Sequence, residues 1–255
     1  MGPVASHAAQ PYVFPGKNNP KINGMDDSVE LLPTDDDGLY FIPFTHIRHK
    51  TPRALIYYSH GNAEDLYSIQ NYLKELSKEL KVDVISWDFA GYGKHKVLDD
   101  VQPSEENVYT DSLKMFAYVQ IQADQQKIPI IVYGRSLGSA PAIYVASKHQ
   151  NDCGALIVES GFRSISRIVS NTLHNIYDLF DNEALIKKQH LVPTLFIHGK
   201  KDHVVPFAHG ERLYNICPCE KKYSFWLEDG HHNDIESLYR SEIYIRLNHF
   251  IDKII

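Results

Sequence analysis

Long apolar runs are missing from this 255-residue sequence, and with them any stretch able to span a bilayer. No signal-peptide core is visible, so a cytoplasmic chain is expected. Cysteine is scarce, with three residues, Cys153, Cys217 and Cys219. An odd number does not make a disulfide framework, and Cys217-Pro218-Cys219 lacks the second pair that a tetrahedral metal site needs. Reduced thiols are expected, and neither a metal nor an organic cofactor. Excess positive charge is absent too: the formal net charge of −6 gives no reason to expect nucleic acid as a partner.

What the sequence does carry is Gly134-Arg135-Ser136-Leu137-Gly138, a G-x-S-x-G pattern. The apolar run Ile130-Ile131-Val132-Tyr133 precedes it, and the helix-forming stretch Ser139-Ala140-Pro141-Ala142-Ile143 follows. Taken alone, the pattern also fits an ordinary glycine-rich turn. A buried strand that turns sharply into a helix instead exposes a serine at the carboxyl end of a sheet. Glycines are needed there because side chains would strike the neighbouring strand and helix. The helix N-terminus aims its free N–H groups at the same spot. Ser136 is therefore the candidate nucleophile.

An acid and then a histidine should follow in chain order. Thr194-Leu195-Phe196-Ile197-His198 reads as a strand, and Gly199-Lys200-Lys201-Asp202 turns out of its end. Asp202 is the first choice of acid, although such a polar turn also suits a solvated aspartate. Glu159, at the end of the strand Ala155-Leu156-Ile157-Val158, is the rival. Beyond the last strand, Tyr223-Ser224-Phe225-Trp226-Leu227, lie two adjacent histidines, His231 and His232. An ordinary loop lets only one of them face the serine. A Gly-His pattern favours His231, and the residues alone leave His232 equally open. Most of the fourteen histidines need a plainer role, and His46, His49, His149 and His174 read as surface or interfacial residues. Donors for an oxyanion are expected from the backbone N–H of Asn62, in His60-Gly61-Asn62-Ala63 after the strand Ala54–Ser59, and of Leu137. That turn also suits an asparagine helix cap.

Along the chain, residues 1–24 read as an extended tail and 25–255 as a single domain. Short strands near Val29–Leu32 and Gly38–Thr45 open the sheet. Strands and helices then alternate: helices are expected over Leu66–Leu80, from Ser104 to about Gln122, over about Arg163–Leu179, over Phe207–Ile216, and from about Ser237 onward. Such alternation predicts an α/β fold, a mostly parallel sheet with helices on both faces. Asn62, Ser136, Asp202 and His232 all fall at strand carboxyl ends, where ligands of such sheets bind.

Five segments lie in register with one known family: His60-Gly61-Asn62-Ala63-Glu64-Asp65, Asp88-Phe89-Ala90-Gly91-Tyr92-Gly93, Pro103 to Asp111, Tyr133 to Ser139 and His232-Asn233-Asp234-Ile235-Glu236. Together they resemble the α/β-hydrolase-domain-containing protein 17 family, membrane-associated serine hydrolases that remove palmitate from proteins. The resemblance runs from about Ala54 to the C-terminus, and a broader group of small hydrolases labelled as aminopeptidase-type serine peptidases shares the elbow and His-Gly-Asn. It implies an α/β-hydrolase fold with a small or absent lid. It also implies Ser136, Asp202 and His232 as catalytic residues, because the family's base directly precedes Asn-Asp. The implied partners are an acylated protein or lipid ester as substrate, with peripheral membrane contact.

Two features depart from that pattern. Animal members have a cysteine-rich, acylated N-terminus, whereas no cysteine precedes Cys153 here. Met1-Gly2-Pro3-Val4-Ala5-Ser6 fits the N-myristoylation pattern, but Pro3 is a poor neighbour for the acceptor, and no polybasic cluster supplies a second membrane signal. The segment 161–190 is too short for a large lid, so a shallow acyl groove is expected. Leu173, Ile176, Tyr177, Leu179 and Phe180 are candidates to line it, with core packing their commoner role. Three classes of function stay open: an acyl-protein thioesterase, a lipid esterase of the lysophospholipase or monoacylglycerol lipase type, and a non-catalytic interaction module.

Overall fold

Five central strands are buried along their whole length: β3 (Leu55–Ser59), β4 (Asp83–Trp87), β5 (Ile130–Arg135), β6 (Ala155–Glu159) and β7 (Thr194–Gly199). Continuous apolar strands of this kind need cover on both faces, which is the signature of a parallel sheet packed between helices. The computed structural model describes residues 28–34, 40–98, 102–169 and 178–255. The expected tail over 1–24, with Gly2, lies outside them, as does His174.

With β1 (Glu30–Pro33), β2 (Phe41–Ile47) and β8 (Lys222–Leu227), the strands form one sheet in the order β1-β2-β4-β3-β5-β6-β7-β8. β1 and β2 pair antiparallel, as does β2 with β4; every pair from β4 to β8 is parallel. The α/β-hydrolase fold expected from the sequence is the fold observed.

On one face Tyr57, Val132 and Leu156 pack with Phe116 of α3 (Glu105–Gln126) and Ile143 of α4 (Ser139–Lys148). On the other, Tyr58, Ile131 and Ile157 pack with Leu73 of α1 (Leu66–Leu80) and Leu247 of α9 (Arg240–Ile254). α1 starts in a capping box between Asp65 and Ser68, and the Ser104 hydroxyl accepts the N–H of Asn107 at 3.1 Å to open α3. Both helices end on a lysine in the left-handed region, Lys81 (φ 53°) and Lys127 (φ 55°). No glycine marks those ends, and α3 runs on past the expected Gln122 to Gln126.

Several expectations need correction. A short helix, α2 (Gly93–Leu98), follows the Asp88–Gly93 turn because the Asp88 carboxylate accepts the N–H of Lys94. Of the stretch Arg163–Leu179, the described part holds α5 (Ile165–Val169), and residues 170–177 lie outside the described residues. After it come α6 (Asn182–Ile186) and α7 (Ala208–Ile216). The C-terminal helix begins earlier than expected, as α8 (Ile235–Leu238), and breaks at Tyr239 before α9. His46 is not a surface residue: its side chain is buried against Asp83. His149 pairs with Asp152 near the surface, and the N–H of His49 donates to Asp83. Among the described residues no helix is long and apolar enough to cross a membrane.

Candidate active site

β5 runs into a tight 3-10 turn, Ser136–Gly138, and then into α4. Ser136 sits at φ 50°, in the left-handed region that L-residues avoid, a strain typical of functional turns. The flanking glycines make this turn possible. A Cβ on Gly134 would lie 2.2 Å from the carbonyl oxygen of Gly138, and one on Gly138 would lie 2.0 Å from that of Ser59. Backbone therefore occupies the space any side chain would need, and Ser136 is lifted to the carboxyl rim while staying mostly buried.

The loop after β8 crosses back over the sheet and brings His232 to the elbow. Its Nε2 lies 3.0 Å from Ser136 Oγ, and its Nδ1 lies 2.7 Å from Asp202 Oδ2. Asp202 stands in the turn after β7, where its other oxygen accepts the N–H groups of Val204 (2.9 Å) and Val205 (2.8 Å). Burial alone would raise the pKa of this carboxyl. Hydrogen bonds from His198 and His232, and the Val205 N–H, outweigh it and hold the group well below the usual carboxylate range. An ionised acid against Nδ1 keeps the proton on that nitrogen and leaves Nε2 free to accept from the serine.

The two rivals go elsewhere. His231 is exposed, its ring tilted against that of His203 with centroids 5.5 Å apart. Its backbone N–H donates to Asp234 Oδ1 at 2.7 Å, so the Asp234 side chain ties the loop together instead of capping α8. Glu159 is fully buried and accepts from the Tyr133 hydroxyl, and burial pushes its pKa up against the opposing pull of Arg135. The carboxylate that meets the His232 ring is that of Asp202.

Ser136 and His232 open into a cleft of about 600 Å³ that Asn62 and Leu137 also line. The Asn62 side chain is no helix cap, since Asp65 caps α1; its Oδ1 accepts from the Tyr92 hydroxyl at 2.5 Å. One wall is apolar, made by Phe162, Ile165, Ile168, Val204 and Val205. Leu179 and Phe180 pack in the core and do not line the cleft. Leu173, Ile176 and Tyr177 lie outside the described residues.

Residues 50–176 match the family described as "Serine aminopeptidase, S33". Among sequence relatives, the alpha/beta hydrolase domain-containing protein aho-3 of Caenorhabditis elegans is 34% identical over 197 residues, 76% of this chain and 56% of the relative. The human alpha/beta hydrolase domain-containing protein 17C is 33% identical over 201 residues, 78% of this chain and 58% of the relative. The chain thus spans little more than half the length of these relatives. Among solved structures, a monoglyceride lipase of Saccharomyces cerevisiae superposes with a TM-score of 0.70 at 13% identity, over 91% of this chain and 96% of that one. The Pyrococcus furiosus esterase Pf2001 gives 0.70 at 15% identity, over 93% and 99%.

The chain has the alpha/beta-hydrolase fold, and its sequence resemblance is to the domain-containing protein 17 group.

Two parts of the site escape a reading by motif. His198 is buried at the end of β7, where its Nε2 lies 2.8 Å from the carbonyl oxygen of Val205 and 3.4 Å from Asp202 Oδ2. Gly210 makes room for the ring, since a Cβ there would come within 2.3 Å of His198 Nδ1. A histidine inside an apolar strand gave the only hint, and nothing local said that it faced the acid. Arg135 is the second: the variable position of the elbow pattern carries a buried guanidinium. Among the described residues no group of three or more His, Cys, Asp or Glu side chains could hold a metal ion.

Proposed function

We propose that this chain is a serine hydrolase that cleaves acyl thioesters or esters, with palmitoylated proteins as its principal substrates. The observation that carries the reading is the continuous contact from Ser136 through His232 to Asp202 at the mouth of an apolar-walled cleft. In the first half-reaction His232 Nε2 takes the proton of Ser136 as Oγ attacks the acyl carbon. Asp202 orients the imidazole and stabilises its charged form. The N–H groups of Asn62 and Leu137 bind the developing oxyanion, each such donor contributing ~3 kcal/mol of transition-state stabilisation. His232 then passes its proton to the departing thiol or alcohol, and an acyl-enzyme remains on Ser136. Water repeats the attack, giving its proton to His232, which passes it to Ser136 Oγ as the free acid leaves, so that serine and imidazole are both restored.

The thioester preference is supported by the resemblance to the domain-containing protein 17 group. The apolar wall of Phe162, Ile165 and Ile168 suits a fatty acyl chain whatever leaving group it carries. That wall also favours a second reading, hydrolysis of lipid esters such as lysophospholipid or monoacylglycerol. A competitive panel on the purified protein separates them: thiol release from a palmitoyl-peptide should exceed glycerol release from monoacylglycerol. The reverse order would make the protein a lipid esterase. A protein inert toward both, and unlabelled by a fluorophosphonate, would be a non-catalytic module.

A further inference from the structure

The base loop poses a mechanical problem. It leaves β8 at the sheet edge, yet His232 must sit over the elbow of β5, with β6 and β7 between them. At ~4.8 Å per strand that is a reach of about 14 Å. The N–H groups of Lys200 and Lys201 donate to the carbonyl oxygens of Leu227 and Gly230 and tie the start of the loop to the turn after β7, but not to the elbow of β5. The oxyanion loop, His60–Asn62, arrives separately from β3.

One side chain touches all of these pieces. From the end of β5, Arg135 Nη2 donates to the carbonyl oxygen of His232 at 3.1 Å and lies 3.5 Å from Asn233 Oδ1. Its Nη1 donates to Glu64 Oε1 at 2.7 Å, and the second Glu64 oxygen accepts the N–H of Gly61 at 2.6 Å. Its Nε stands 3.7 Å from Glu159 Oε1, across the register pair Arg135–Glu159. The packing leaves no slack on the oxyanion side: a Cβ on Gly61 would fall 2.9 Å from both Arg135 Nη1 and Glu64 Oε2. The guanidinium is therefore wedged against the loop backbone itself. A planar fork with donors in fixed directions can hold these acceptors at once, and an ammonium cannot. Little water reaches the fork, because the Arg135 side chain is 8% exposed, so each of these bonds acts in a low local dielectric.

We propose that Arg135, acting with Glu64, is a positioning residue for hydrolysis, setting the oxyanion loop and the His232 loop in register on either side of Ser136. The inference rests on the acyl-transfer reading of Ser136. It assigns a function to the position that the G-x-S-x-G pattern leaves open, next to the nucleophile in sequence. Small misplacements of such loops cost rate more than binding, since the transition state demands the geometry most.

The test is steady-state kinetics on Arg135→Lys, Glu64→Gln and the double variant, with active sites titrated by a fluorophosphonate. Per titrated site, Arg135→Lys should lower kcat by ~10²-fold, and Glu64→Gln by ~10-fold. KM should stay within about threefold of wild type in both. The double variant should lose less than the product of the two, because both act through one link. Wild-type kcat per titrated site in both variants, or a loss confined to the number of titratable sites, would overturn the proposal and leave the network a matter of folding. Should Arg135→Lys not fold, Glu64→Gln decides alone, being partly exposed and still able to accept the Gly61 N–H. A wild-type protein that Ser136→Ala does not distinguish in labelling would remove the acyl-transfer reading, and this inference with it.

Discussion

Ser136, Asp202 and His232 differ in what each loses when altered. Ser136→Ala removes the attacking oxygen and leaves the Cβ in place, so the variant should fold normally and lose fluorophosphonate labelling and turnover together. Asp202→Asn keeps the shape but favours the wrong imidazole tautomer, and turnover should fall by up to ~10⁴-fold. Glu159→Gln should do much less, because Glu159 answers to Tyr133 and Arg135. His232→Ala should abolish acyl transfer, whereas His231→Ala should change it only modestly, its ring being exposed beside His203. Rate assays on the five variants check the set. A greater loss in Glu159→Gln than in Asp202→Asn would reverse the choice of acid. The acid was legible from chain order and its place after a strand. The adjacent histidines were separable only through the family resemblance, since a loop's facing direction is set by contacts distant in sequence.

The elbow and the helix that follows α2 carry separable properties. At Gly138 a new Cβ would collide with the carbonyl oxygen of Ser59, a backbone atom, with no flexible side chain to yield. Gly138→Ala should therefore push the 3-10 turn away from β3, lowering both thermal stability and labelling rate. Ser104→Ala should lower stability by ~1 kcal/mol through loss of the α3 cap, with turnover unchanged, as denaturant titration and the substrate assay would show. Caps such as Ser104 are local chemistry and were readable in the sequence. The ends of α1 and α3 were not, because Lys81 and Lys127 take the left-handed conformation without a glycine to announce it. Likewise α2 depends on Asp88, six residues before the N–H of Lys94 that it accepts, and on Gly93, whose absent Cβ leaves room for that carboxylate.

At the scale of the whole molecule, buried carboxyls tie stability to pH. Asp88 accepts the N–H groups of Leu66 and Lys94 and joins the starts of α1 and α2; burial pushes its pKa up to about 6. Between the unfolded value near 3.8 and about 6 the folded state holds the extra proton. Its contribution is thus fully present below the unfolded value and is lost as pH rises through about 6. Asp111, also raised to about 6 by burial, acts in the same direction. Asp202 has the opposite sign, its lowered pKa adding stability that is present above the ordinary carboxylate range and lost only in strong acid. Asp88→Asn removes one titrating group while keeping an acceptor. Its stability relative to wild type should therefore rise from pH 4 to pH 7, as urea denaturation at several pH values would show. A difference independent of pH would mean that Asp88 does not take up a proton on folding.

Strand and helix alternation, chain order of nucleophile, acid and base, and capped helix starts such as that of α3 were determined by the sequence itself. Each rests on periodicity or on contacts within a few residues, so the α/β architecture and the rim carrying Asn62, Ser136, Asp202 and His232 were readable from end to end. The tertiary structure alone decided what those residues touch. It turned His232 inward and His231 outward, set His198 beside Asp202, buried His46 and Glu159, and placed Ile165 and Ile168 on the cleft wall in preference to Phe180. It also brought Arg135 to a carbonyl 97 positions away. Contacts of that kind depend on how the loops of β3, β5, β7 and β8 converge above one sheet, and no local pattern encodes that convergence.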